Sequence, residues 1–471
     1  MSDLCDLPAT VLAGLIKKGE LSARQLVSAC LERIEQWNPV VNAVVTVTAE
    51  QALEQARLAD EQQARGQATG RLHGLPVVHK DLFETRGVRT TYGSTVFRDF
   101  VPTSDAAIVE RQRLAGAIMV GKSNTPEFGA GSQTFNRLFG ATRNPYDLSR
   151  TCGGSSGGAA VALACGMAAL ADGTDTGGSL RNPASFCNVV GFRPSAGRVA
   201  LWPDPMGWFT LNVAGPMGRT VEDVALLMSV IAGPDRRSPI SLPEPGERFL
   251  EPLERDFRGT RLAWSPTLGG LPVERPVLDV LENSLAVFHQ AGCVVEQADP
   301  DLSDADEVFC TLRAWRFAWM YSDLIDRYPG EIKETIVWNV EQGKRLSGQD
   351  VARAEALRTR IYHRMLQFFQ RFDFLLAPVV QVLPFDVQQP YVQEINGIRM
   401  GSYLDWMKSC YWISATGLPA ISVPAGFSSE GLPVGLQIVG PPLGDFAVLQ
   451  LAYFFQQATE YWRRRPSLAA N

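Results

Sequence analysis

Apolar and polar positions along this chain follow two periods, one helical and one extended. After Ser22 the apolar residues Leu26, Cys30 and Ile34 recur every four positions, the stripe of an amphipathic helix. Ser22 with Gln25 makes a capping box at its start, and Asn38-Pro39 predicts its end. Residues 40–47 then read as a strand, and Thr48 with Gln51 caps a second, more polar helix. Residues 75–78 form a short apolar strand that runs into His79-Lys80-Asp81. Ser104 and Asp105 open a helix ending near Gly116, followed by a buried strand over 118–120. A helix over 158–166, a strand over 168–171, an amphipathic helix over 277–291 and strands over 374–377 and 420–423 complete the pattern. Helices alternating with short apolar strands predict an α/β fold: a central mixed, mostly parallel twisted sheet covered by helices on both faces.

Composition adds bounds to this pattern. A length of 471 residues allows about three domains of usual size. The Pro- and charge-rich stretch 234–252 is the best candidate for a boundary. Hydrophobic residues make up 45% of the chain and charged ones 20%, enough for a large core. The net charge of −6 speaks against a nucleic-acid binder, which would carry a basic footprint. The N-terminal segment Met1–Asp6 lacks a basic and an apolar region, and the most apolar central run, residues 159–171, is too short to span a bilayer. No membrane association and a cytoplasmic location are therefore expected. Eight scattered cysteines without a C-x-x-C pair read as reduced thiols. Only four histidines are present, so histidine-based metal cages and triads are disfavoured.

The chemistry concentrates in residues 152–181, where two Gly-Gly-Ser units occur: Gly153–Gly158 contains the first and Gly177-Gly178-Ser179 is the second. Paired glycines let a backbone approach other groups closely, which suits a turn that aims several N–H groups and a hydroxyl into one volume. That is the geometry of an oxyanion hole beside a serine nucleophile. The segment lacks G-x-x-x-x-G-K-[ST] and G-x-G-x-x-G, so a nucleotide cradle is disfavoured. Ser179 lies in Thr176-Gly177-Gly178-Ser179-Leu180, outside a G-x-S-x-G elbow, and adjacent residues on a strand face opposite ways, so only one of His79 and Lys80 can point into a site. Lys80, brought in by the buried strand of Val77 and Val78, is the better base.

With these residues assembled, the chain resembles the amidase signature family of Ser-cisSer-Lys amide hydrolases. The resemblance rests on Gly74, Pro76, Val77, Lys80 and Asp81, on GGSSGG at 153–158, and on G-T-D-x-G-G-S-x-R from Gly173 to Arg181. Residues 183–187, 191–194 and 417–420 also match, as does the 24-residue spacing between Ser155 and Ser179. It implies one domain over 1–471, with a signature core at about 72–200. It further implies that Ser179 is the acyl-forming nucleophile and Ser155 the bridging serine, joined to its neighbour by a cis peptide. Lys80 would be the base acting through Ser155, and the N–H groups of Thr176, Gly177, Gly178 and Ser179 the oxyanion hole. Asp175 and Arg181 would support the loop and Ser156 orient Lys80. No metal and no organic cofactor is implied, and a homodimer is common in the family. A lysine base must be neutral, yet an ordinary lysine is neutral in only about one molecule in 2,500 at pH 7, so burial has to lower its pKa.

The signature leaves the substrate open, because variable segments build the pocket. Those segments are expected at 201–210, 310–330 and 397–412, where Trp202, Met206, Trp208 and Phe209, then Trp315, Phe317, Trp319, Tyr321 and Tyr328, would form an aromatic wall. An apolar or aryl amide, anilide, urea or carbamate is expected. Two alternatives belong to other classes. One is the A-type chain of a glutamyl-tRNA amidotransferase acting with a partner, and the other is a non-catalytic binder on the same fold. The first is disfavoured by residues 202–209 and the second by the joint presence of Lys80, Ser155 and Ser179.

Overall fold

Ser22 opens the first long helix with the capping box its sequence spells: its Oγ accepts from Gln25 N–H at 3.0 Å, and Gln25 Oε1 accepts from Ser22 N–H at 3.0 Å. The helix, Ala23–Val41, runs past the expected stop and carries Pro39 inside its last turn. Asn38 explains the true end: its side-chain oxygen accepts from Ala43 and Val44 N–H, each at 2.8 Å, and Asn42 takes a left-handed conformation. The following strand is therefore shorter than expected. Thr48 does not cap the next helix, Ala49–Ala64, because its hydroxyl donates to Met119 O at 2.9 Å. Asp105 likewise does not cap the helix Ala107–Leu114; it accepts from Arg86 N–H at 2.7 Å and pairs with Arg113. The computed structural model describes residues 4–67 and 70–468, so Met1–Asp3 of the N-terminal segment lie outside the described residues.

One sheet organises the molecule. Its strands are β1 (Val44–Val47), β2 (Pro76–Lys80), β3 (Ile118–Ser123), β4 (Leu170–Asp175), β5 (Val190–Arg193) and β6 (Val213–Gly218). They are followed by β7 (Arg261–Trp264), β8 (Val294–Gln297), β9 (Phe374–Pro378), β10 (Ala420–Phe427) and β11 (Pro433–Val439). The order across the sheet is β1-β3-β2-β4-β6-β5-β10-β11-β9-β7-β8. The expected parallel pairing gathers in two blocks, β3-β2-β4 and β9-β7-β8, with antiparallel pairing between them and at β1. Chain connectivity accounts for this mixture. Helix Ala107–Leu114 lies between β2 and β3, whereas β10 and β11 are joined by a short turn, as only antiparallel neighbours can be.

Both faces of the sheet are buried. Val77, Leu170, Leu376 and Ile438 pack into one apolar layer, while their neighbours Val78, Ala171, Leu375 and Val439 pack into another on the opposite side. Residues 234–252 are not a boundary, because strands from before and after them belong to the same sheet. The stretch is strapped to the body by Arg111, which donates to the carbonyls of Ile231 and Pro234 at 2.8 Å each, and by the Arg198–Glu244 pair. The expected helix over 277–291 is divided at Leu285 into Arg275–Ser284 and Ala286–Gln290. Among the described residues no helix is long and apolar enough to cross a membrane.

Candidate active site

The parallel pair β2 and β4 ends at Lys80 and Asp175, so both residues stand at the carboxyl edge of the sheet, where α/β folds place their ligands. Alternation along β2 separates its last two side chains. His79 turns to Asp172, with Nδ1 2.6 Å from Oδ2, and Gln112 donates to the same oxygen at 2.8 Å. Lys80 points the other way and is fully buried. Its Nζ donates to Ser155 Oγ at 2.8 Å, Ser156 Oγ at 2.9 Å and Thr174 Oγ1 at 3.0 Å. Three neutral hydroxyls surround the amine, and among the described residues no carboxylate pairs with it. Burial pushes its pKa down to about 7, against the weaker pull of Asp175 and Asp172. Thr174 is the member of this cluster that the sequence pattern did not single out.

Glycines let the two serine loops close on this amine. A Cβ on Gly173 would fall 2.4 Å from Ser156 Oγ, and one on Gly178 would fall 2.4 Å from Cys410 Cβ. The cis peptide lies between Gly154 and Ser155, on the N-terminal side of the serine and not at its bond to Ser156. Ser156 N–H donates to Ser179 O at 3.2 Å, which fastens the first Gly-Gly-Ser loop to the second. Ser155 and Ser179 line one cavity, and no hydrogen bond joins their hydroxyls. Gly178 N–H is committed to Asp175 Oδ1 at 2.9 Å, so in this conformation it does not face an oxyanion. The N–H groups of Thr176, Gly177 and Ser179 have no acceptor among the described residues.

Asp175 anchors the second loop from below. Its carboxylate accepts from Gly178 and Leu180 N–H and pairs with Arg181 and Arg193, each at 3.0 Å. All three charged groups are buried. Burial alone would raise the carboxyl, but the two guanidinium groups and the Gly178 N–H hold it well below the usual carboxylate range. Arg181 reaches on to Gln437 Oε1 at 2.5 Å and Ser414 Oγ at 2.7 Å, tying the loop to β11 and to the helix Lys408–Thr416. A second buried lysine, Lys122 on β3, holds the loop after β2 through Phe83 O and Thr85 Oγ1. Among the described residues no group of three or more His, Cys, Asp or Glu side chains is arranged to hold a metal ion.

Above Ser155 and Ser179 opens a cavity of about 640 Å³ with a largely aromatic wall. Trp202, Phe209, Phe317, Trp319 and Tyr321 from the expected variable segments line it, but Met206, Trp208, Trp315 and Tyr328 do not. Trp208 is 77% exposed, and Trp315 packs on Phe209 with ring centroids 6.4 Å apart. From residues 397–412 only Met407 reaches the cavity; Tyr411 instead stacks on Phe309 at 4.3 Å and donates to Asp306. Tyr92, Phe97, Phe100 and Phe128 also line the cavity, which the sequence pattern did not announce, and Phe128 stacks on Tyr321 with ring centroids 4.8 Å apart. They lie in segments without a regular period, and their only signal is aromatic density close after Lys80.

Known proteins match this chain in sequence and in fold. The amidase family model matches residues 25–449. The chain is 34% identical to an acylamidase of Rhodococcus erythropolis, covering 98% of this chain and 97% of that one. It is 37% identical to the A-type chain of the glutamyl-tRNA(Gln) amidotransferase of Moorella thermoacetica, covering 99% of each. Among solved structures, a bacterial aryl acylamidase of the amidase signature family superposes with a TM-score of 0.91 at 30% identity over 97% of both chains. A 6-aminohexanoate cyclic dimer hydrolase in complex with substrate gives 0.88 at 25% identity, over 98% of this chain and 99% of that one. By family match, sequence identity and fold, the chain belongs to the amidase family.

Proposed function

We propose that this enzyme hydrolyses the C–N bond of a small amide with an apolar or aromatic body, through an acyl-Ser179 intermediate. The observation that carries the reading is the buried Lys80 amine, 2.8 Å from Ser155 Oγ at the floor of the aromatic cavity that Ser179 also lines. A pKa of about 7 leaves close to half of the molecules with a neutral amine at pH 7. Neutral Lys80 takes the Ser155 proton as Ser155 takes that of Ser179, and Ser179 Oγ bonds to the carbonyl carbon. The N–H groups of Thr176, Gly177 and Ser179, left free by the loop, receive the oxyanion. Gly178 joins them only if its bond to Asp175 is released. The proton then returns through Ser155 to the departing amine, the C–N bond breaks, and water cleaves the acyl ester by the same relay.

The Rhodococcus acylamidase and the aryl acylamidase fold support an aryl or acyl amide as substrate, as does the ring-lined wall. The test is a panel of amides, anilides, ureas and esters given to the purified chain, with Ser179→Ala as blank. Turnover of an aryl amide by the wild type alone supports the proposal; equal rates in the blank refute it. A second reading, an amidotransferase chain that needs a partner, is favoured by the 37% identity to the Moorella protein. It predicts that the isolated chain is inactive on every simple amide of the panel.

A further inference from the structure

The helix Ala305–Arg327 carries one buried cation into the cavity that, among the described residues, no carboxylate answers. Arg313 is 5% exposed and lines the cavity. Among the described residues it makes no ion pair. Nη1 donates to Asn339 Oδ1, and the guanidinium lies over the rings of Phe317 and Tyr403, 4.1 and 5.6 Å from their centroids. A guanidinium carries five N–H donors, and burying it without an anion is unfavourable. Its neighbours are matched differently. Arg316 holds Asp204 at 2.9 Å, Arg181 and Arg193 share Asp175, and Arg219, outside the cavity, donates to backbone carbonyls. Other cavity acids are engaged elsewhere or stand at the rim: Glu84 accepts from Tyr92 Oη at 3.0 Å, and Asp323 is exposed.

The partner residue is itself fixed. Asn339 Nδ2 donates to Thr335 O and to Tyr403 Oη, so its oxygen is turned to Arg313 before any ligand arrives. Position along the helix supplies the register. Phe309, one turn before Arg313, covers the nucleophile loop so closely that a Cβ on Gly177 would lie 2.8 Å from its ring. Four helical residues rise about 6 Å, so Arg313 stands one helical turn along the cavity wall from the residue that covers the nucleophile loop.

From this placement we infer that Arg313 recognises a carboxylate on the substrate. The preferred substrates are then amides that combine an apolar or aromatic body with a carboxylate a few bonds from the scissile carbonyl. The inference rests on the hydrolytic reading of the cavity and narrows it. A guanidinium–carboxylate contact in a site walled by rings is short, directional and weakly screened.

The experiment compares the monoanilides of succinic and glutaric acid with their methyl esters, reading aniline release. In the wild type, kcat/KM for at least one acid exceeds that for its ester by ten-fold or more, with the difference carried by KM. Arg313→Gln brings that ratio to within about three-fold of one, and Arg313→Lys restores part of it. Acids turned over no better than esters by the wild type would overturn the inference, as would a ratio that Arg313→Gln leaves unchanged. Should Arg313→Gln fail to fold, inhibition of the wild type decides: 4-phenylbutyrate should inhibit hydrolysis of a neutral anilide at least ten-fold more strongly than its methyl ester. Equal inhibition would overturn the inference. Hydrolysis of the neutral anilide by the wild type, with none by Ser179→Ala, upholds the amidase reading whichever way the acid-to-ester ratio falls.

Discussion

The pH dependence of turnover follows from the burial of Lys80 and can be worked out in numbers. An exposed lysine with an ordinary pKa of 10.5 would be neutral in about 0.03% of molecules at pH 7. At a pKa of about 7 the neutral fraction is close to one half, a gain of more than a thousand-fold in the form that accepts a proton. The fraction is about 9% at pH 6 and 91% at pH 8, so kcat/KM should rise roughly five-fold from pH 6 to 7 and less than two-fold from pH 7 to 8. The assay is kcat/KM for an anilide whose rate responds to its leaving group, which keeps chemistry limiting. A flat profile from pH 5.5 to 9, or a rise that continues beyond pH 10, would refute the reasoning.

Stability should show the same titration. The folded state holds Lys80 deprotonated between pH 7 and 10.5 while the unfolded chain binds the proton, so unfolding free energy gains from this group as pH rises through that window, by about 1.4 kcal/mol per pH unit. Lys80→Met removes that contribution, so urea unfolding at pH 7 and pH 9 should show less pH-dependent gain than in the wild type; an unchanged gain would contradict it. Asp175→Asn leaves Arg181 and Arg193 buried without an anion and should cost about 3–5 kcal/mol in urea unfolding. A loss under 1 kcal/mol would show that the loop is held by its other bonds. Gly173→Ala sets a methyl 2.4 Å from Ser156 Oγ and should lower kcat at least a hundred-fold with little change in secondary structure by circular dichroism. Wild-type kcat in that variant would contradict the packing argument. Trp319→Ala opens the aromatic wall and should raise KM for aryl amides by about three- to ten-fold, leaving kcat within two-fold; a loss in kcat alone would place the residue elsewhere in the cycle.

Legibility in the sequence differed by element for physical reasons. Strand alternation foretold that His79 and Lys80 would part, and the observed contacts to Asp172 and to the serine cluster follow that rule. The Ser22 capping box was legible because both of its bonds are local. Thr48 and Asp105 misled for the opposite reason: each found a distant partner, Met119 O or Arg86 and Arg113, that outcompeted the local cap. Thr174 belongs to the Gly173–Arg181 motif but has no role legible there, because its contact with Lys80 arises only where β4 turns it toward the amine. Aromatic composition at 310–328 announced a wall without its direction. The helix resolves it, since Phe309, Arg313, Arg316, Phe317, Met320, Tyr321, Leu324 and Arg327 recur every three or four residues on the cavity face, which Trp319 and Asp323 widen. Trp315 falls between them and packs on Phe209.

The central claim is a covalent acyl bond to Ser179, and mass spectrometry of acid-quenched enzyme during turnover of an aryl amide tests it most directly. The predicted result is an adduct of the acyl group on the peptide carrying Ser179, absent from Ser179→Ala, with its steady-state amount set by water attack. Turnover with no adduct at any quench time, or an adduct confined to the peptide carrying Ser155, would contradict it.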